Sequence, residues 1–174
     1  MPEQARSHAR GTQTREDAAP DELRELLFFA YRDFVGDADE RLQDYAFGRA
    51  HHRVLHFVGS RPGMTVAELL DILRITKQSL ARVLRDVIDA GFVEARPGVA
   101  DRRQKLLHLT AKGHALTQEL SRMQATRIAR ALEGFTPAER LAVGRFLRGM
   151  IHPHAASAMR LVADATAGGK DVMP

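Results

Sequence analysis

Two clusters of side chains in this sequence could engage a polyanion. Lys77, Gln78, Ser79, Arg82 and Arg85 fall within "TKQSLARVLRDVID". Arg102, Arg103 and Lys105 crowd the stretch "RPGVADRRQKLLHLTAKG" between two short apolar runs. Arg can pair bidentately with guanine, and Gln with adenine. An arginine-bearing wet face is also the ordinary surface of a solvated amphipathic helix, so the charges alone decide little. Their placement on elements has to carry the reading.

A second group is histidine-rich. "RAHHRVLH" holds His51, His52 and His56. His52 and His56 are four residues apart, so one helix face could offer both to a metal ion. Arg53 stands beside them and no carboxylate has ligand spacing, which argues against a cation. With Tyr45 they read better as polar groups of a small-molecule pocket. His51 lies on the apolar side and reads as a hydrogen-bonded core or interface residue. Catalysis finds no support: there is no Gly-rich phosphate loop, nucleophile elbow or HExxH. Ser79 has no His or carboxylate at catalytic spacing. No catalytic residue, metal or cofactor is expected.

The totals agree with a binding protein. A chain of 174 residues suits one domain with appended helices. Net charge is +4 and the isoelectric point is near 9.9, a mild lean towards an anionic partner. There is no Cys, which excludes disulfides and thiol redox sensing and fits a reducing cytoplasm. No apolar run is long enough to span a membrane.

The elements that position these residues can be read from period and punctuation. Residues 1–19 are polar and aperiodic and read as a mobile arm. Leu23, Leu26, Leu27, Ala30, Tyr31 and Phe34 recur at helical spacing; Gly36-Asp37 interrupts them, and Leu42, Tyr45 and Ala46 resume, giving one kinked helix or two. A helix over about 49–60 carries Ala50, Val54, Phe57 and Val58 on one side. "TVAE" (Thr65–Glu68) is a capping box opening a short helix to about Leu73. Thr76 caps a second helix over 77–90, with Leu80, Val83, Leu84, Val87 and Ile88 as its apolar stripe. Gly91 sits where a left-handed residue is wanted. "FVEAR" and "KLLHLT" then form a hairpin. Thr110 caps a long helix over 111–133. "TPAE" (Thr136–Glu139) opens the last one, which Pro153 should end or kink. A weak further helix is expected over 155–166, and a tail from Gly168.

Two short helices with a tight turn followed by a hairpin make a winged helix-turn-helix layout. The helix 77–90 would enter a major groove, about 12 Å wide, with its leading residues on base edges. Ala81 keeps that face low.

Residues 65–113 resemble the DNA-binding core of MarR-type transcriptional regulators. The resemblance rests on "DRRQKLLHLTAKG": Asp101, Arg103, Leu107, Leu109, Thr110 and Gly113 match the family pattern. "TVAELLDILRITKQSLARVLRDVIDAGFVEARP" extends it, and the flanking helices match by arrangement only. The resemblance implies a mainly α fold with a small β-hairpin wing. It implies an arm (1–20), an N-terminal dimerisation helix (21–48), a winged domain (49–112), C-terminal dimerisation helices (113–166) and a tail (167–174). It implies a homodimer on a pseudo-palindromic operator, with Arg103 in the minor groove and Asp101 holding it. A small anionic or aromatic ligand that releases the DNA is a further implication. The competing readings are a winged-helix module that binds protein and, more remotely, a small enzyme.

Overall fold

The computed structural model describes residues 20–98 and 101–152. The expected arm, the helix over 155–166, Pro153 and the tail lie outside those residues. By compactness the chain divides between Asp33 and Phe34.

The described part of the first unit is the leading half of α1 (Pro20–Gln43). Asp21 and Glu22 stand in its first turn, where the helix dipole favours carboxylates. Arg24 pairs with Asp21 at 3.0 Å, and Arg32 lies over the Phe29 ring. None of its residues is buried, and Leu23, Leu26, Phe28, Phe29 and Tyr31 stand exposed.

The second unit holds the rest of α1, then α2 (Arg49–Ser60), α3 (Val66–Leu73), α4 (Lys77–Asp89), α5 (Ala111–Ala131) and α6 (Pro137–Met150). Strands β1 (Met64–Thr65), β2 (Val93–Pro97) and β3 (Lys105–Leu109) form an antiparallel sheet in the order β1-β3-β2. Val93 lies opposite Leu109, and Pro97 opposite Lys105. Pro97 closes an edge strand, where its missing N–H costs no ladder bond. One core gathers Leu42, Val54, Leu55, Val58, Leu69, Leu80, Val87, Phe92, Leu107 and Leu120, all essentially inaccessible.

The expected caps are present. Thr65 accepts from the Glu68 N–H, and the Glu68 carboxylate accepts from the Thr65 N–H. Thr76, Thr110 and Thr136 cap α4, α5 and α6 in the same way from the hydroxyl side. Gly91 is left-handed at φ 76°. Gly113 answers a different need. A Cβ there would stand 2.0 Å from the Phe92 carbonyl oxygen, so only glycine lets α5 approach the turn between α4 and β2 this closely.

Three expectations need correction. α1 runs unbroken through Gly36-Asp37, because Val35, Ala38 and Leu42 are buried on either side of the glycine and hold the helix. A third strand, β1, is present. Helix α5 ends at Ala131, two residues short of Glu133. Arg127 makes a bidentate pair with Asp37 at 2.8 and 2.9 Å, tying α5 to α1. Arg130, one turn nearer the end of α5, is exposed.

Candidate nucleic-acid interface

The turn between α3 and α4 is short because Arg74 takes a left-handed conformation at φ 50°. Arg53 of α2 donates to the Leu73 carbonyl at 3.0 Å, satisfying an orphan acceptor at the end of α3. Helix α4 then starts at the Thr76 cap. Its stripe of Leu80, Val83, Leu84 and Val87 is buried, so the opposite face must be wet. Lys77, Gln78, Ser79, Ala81, Arg82 and Arg85 all stand exposed on it. The Ser79 hydroxyl is engaged by the Thr76 hydroxyl at 2.8 Å, and the Ser79 N–H by the same oxygen. Among the described residues, no ion pair engages Lys77, Arg82 or Arg85.

The hairpin between β2 and β3 supplies the second cationic group. The Gly98 N–H donates to the Gln104 carbonyl at 2.9 Å, which closes the hairpin below its tip. Asp101 accepts the Arg103 N–H on its side-chain oxygen at 2.9 Å. This turn braces the backbone of Arg103 and leaves its guanidinium unrestrained. Arg102, Arg103 and Lys105 are exposed, and none of them is in an ion pair among the described residues. Arg96, by contrast, is taken up by Glu94.

The four pocket candidates separate. Tyr45 packs edge-on to Phe92 with ring centroids 4.9 Å apart, and its hydroxyl accepts from Arg41 at 3.3 Å. His51 stacks on Phe47 and is bonded at both ring nitrogens. His52 and His56 are both held below the usual histidine range by desolvation, and the charge of His56 adds to the effect on His52. His56 lines a groove. It is open, about 630 Å³, and runs between α2, β3 and α5, with His114, Thr117 and Arg122 on its wall. Among the described residues no three His, Asp or Glu side chains are placed to share a metal ion.

Sequence reasoning missed two polar links. Arg41 of α1 donates to Glu119 of α5 at 2.7 Å, and this bond holds the Glu119 carboxyl below the usual carboxylate range. His51 of α2 reaches Asp86 of α4 at 3.2 Å. Both partners are far apart in the chain, and no local pattern announces them.

A capped helix with one buried face and one bare cationic face, followed by a small sheet with a charged tip, defines a winged helix-turn-helix DNA-binding protein. Comparison with known proteins agrees. The MarR family profile matches residues 47–104. The HTH-type transcriptional regulator PetP of Rhodobacter capsulatus is 43% identical over 141 residues, spanning 81% of this chain and 85% of that protein. The HTH-type transcriptional repressor Rv2887 of Mycobacterium tuberculosis is 31% identical over 93 residues, 53% of this chain and 67% of that one. Among solved structures, FabT of Streptococcus pneumoniae in complex with DNA superposes with a TM-score of 0.67 at 19% identity, covering 75% of this chain and 93% of that chain. The chain belongs to the MarR family. It is a DNA-binding regulator of transcription, and its relatives are regulators rather than enzymes.

Proposed function

We propose that this chain is a cytoplasmic, homodimeric repressor that occupies a pseudo-palindromic operator. Helix α4 lies in the major groove, with Lys77, Gln78, Arg82 and Arg85 towards the bases and phosphates; Ser79, already bonded to the Thr76 hydroxyl, contributes at the helix entrance. The wing follows the adjacent minor groove with Arg103, while Arg102 and Lys105 follow the phosphates. One observation carries this reading: Lys77, Arg82 and Arg85 on the outer face of the capped helix α4, and Arg102, Arg103 and Lys105 on the hairpin that follows it, are all exposed, and none is in an ion pair among the described residues. A cation kept bare at a fixed position is available to an external anion. The exposed apolar residues of α6 and of the leading half of α1 supply the dimer contact. The comparison with DNA-bound FabT and with a named repressor supports the operator and the sign of regulation.

A small anionic or aromatic ligand releasing the DNA is part of the same proposal. The groove beside His56 supports it, since His114 and Arg122 offer polar handles over an apolar floor that includes Leu109.

Genome-wide footprinting of the bound chain tests the whole. Discrete sites with two similar half-sites one helical turn apart are expected. Uniform binding, or none, would remove the operator and leave a module for a protein partner.

A further inference from the structure

Helix α4 is held to the protein mainly through four aliphatic residues. Such a stripe fixes which side faces inwards through a driving force that is itself non-directional, so a hydrogen bond to a neighbouring helix adds a directional restraint on its rotation. Base reading needs tightly aimed groups. One directional contact joins α4 to the helix behind it. The Gly48 N–H, at the cap of α2, donates to His51 Nδ1 at 3.0 Å. That ring nitrogen is therefore an acceptor, and the proton resides on Nε2, which faces Asp86 Oδ2 at 3.2 Å. The His51 ring is also stacked on Phe47, with centroids 4.7 Å apart and planes 6° from parallel. Phe47 is itself buried against Phe92. The imidazole thus has no rotamer freedom left: its plane, its tautomer and the direction of its N–H are all set. Its side chain is only 15% exposed. Asp86 stands one turn beyond Arg82, at the border between the buried stripe and the wet face, so a bond there restrains the rotation that would turn Arg82 away.

We infer that His51 is a positioning residue for operator recognition, acting through Asp86 to fix the rotation of α4 and with it the aim of Arg82. The inference rests on the operator reading above. It makes His51 a specificity determinant that touches no DNA. It also accounts for an acidic residue on a helix that meets a polyanion. The carboxylate costs some attraction for phosphate in general but sharpens the fit to one sequence.

Three variants test it. Asp86→Ala and Asp86→Asn remove the same charge from α4, so they raise affinity for unrelated DNA alike. Only Asn keeps an oxygen to accept from His51. His51→Glu keeps the cap of α2, since Glu at that position can accept the Gly48 N–H, but it repels Asp86. The ratio of operator to unrelated-DNA affinity should fall about tenfold in Asp86→Ala and His51→Glu, the size of one hydrogen bond to a charged group. It should stay near wild type in Asp86→Asn. Hydrogen exchange of the α4 amides in the DNA-free protein should quicken in Asp86→Ala but not in Asp86→Asn. Equal losses in Ala and Asn, or a wild-type ratio in all three, would overturn the role of the latch. Exchange that Asp86→Ala leaves unchanged would overturn the latch itself, whatever the DNA result. A wild type with no operator preference, combined with the expected exchange difference, would instead overturn the operator reading on which the specificity role depends.

Discussion

Helices α4 and α6 are nearly twins on paper. They have 13 and 14 residues, each starts at a threonine cap, and each repeats apolar residues at helical spacing. Within the chain their fates differ completely. Helix α4 buries Leu80, Val83, Leu84 and Val87 and leaves its cations bare. Helix α6 buries nothing, and Leu141, Phe146, Leu147 and Met150 stand 45–65% exposed. One helix is finished by its own chain and offers charge to a partner. The other is unfinished and offers apolar surface. A helix's function thus lies in the face that its own fold leaves uncovered.

The sharpest way to break this contrast is to charge the unfinished face. Phe146→Glu combined with Leu147→Glu should abolish the dimer in light scattering while circular dichroism retains the helices of the winged core. Losing the second half-site should then lower operator affinity on the order of 100-fold, because the paired domains no longer bind as one. A dimer that survives both charges would place the interface elsewhere. On α4 the comparable deletion acts inside the chain. Leu80 is fully buried, so Leu80→Ala should cost about 2–5 kcal/mol of folding stability. The two effects separate by concentration. The Tm loss from Leu80→Ala should not depend on protein concentration beyond the wild-type dependence, whereas Leu147→Ala should steepen that dependence.

What could be read from the sequence follows the same division. Caps and stripes are local, so α2, α3, α4 and the hairpin appear within a residue or two of their expected limits. Thr76 and Gly91 bracket α4 because each satisfies a backbone demand that its own neighbours create. Strand β1 has two residues, too short to show any period, and exists only because β3 offers an edge at Leu106 and Leu107. Gly36 looked like a break because glycine disfavours a helix by about 1 kcal/mol. Burial of its neighbours outweighs that, and burial is a tertiary fact. Asp37–Arg127 and His51–Asp86 span 90 and 35 residues, beyond any pattern within one helix. The cationic face is a local pattern and could be read; the His51–Asp86 contact behind it could not.

Within the cationic face, the residues should divide by what they read. Arg82→Ala and Gln78→Ala should each cost about 1–3 kcal/mol on the preferred operator and relax the choice of base at one position. Competition binding against operators substituted base by base gives the answer. A variant that weakens all sequences equally marks a phosphate contact, and the base-reading role of that residue is then wrong.

The smallest effects are expected on the wing, and they are the most discriminating. Arg103 and Lys105 carry the same charge and are both exposed, but their settings differ. Lys105 opens β3, opposite Pro97, so its backbone is fixed in the sheet and its side chain can track phosphates. Arg103 sits at the tip, where the Asp101 carboxylate holds its backbone N–H. Lys105→Ala should weaken every DNA alike and lower the salt slope by about one unit. Arg103→Lys keeps the charge, yet it should lose affinity, most of all on A·T-rich flanks whose narrow minor groove has the strongest negative potential. Guanidinium is more weakly hydrated than ammonium and enters such a groove at lower desolvation cost. Asp101→Ala should reproduce part of the loss, because the tip no longer presents Arg103 in one orientation. The measurement is affinity at fixed salt for operators with A·T-rich or G·C-rich flanks. If Arg103→Lys matches wild type on both, the tip is one more solvated cation, and the wing then differs from the solvated end of α5 only in position.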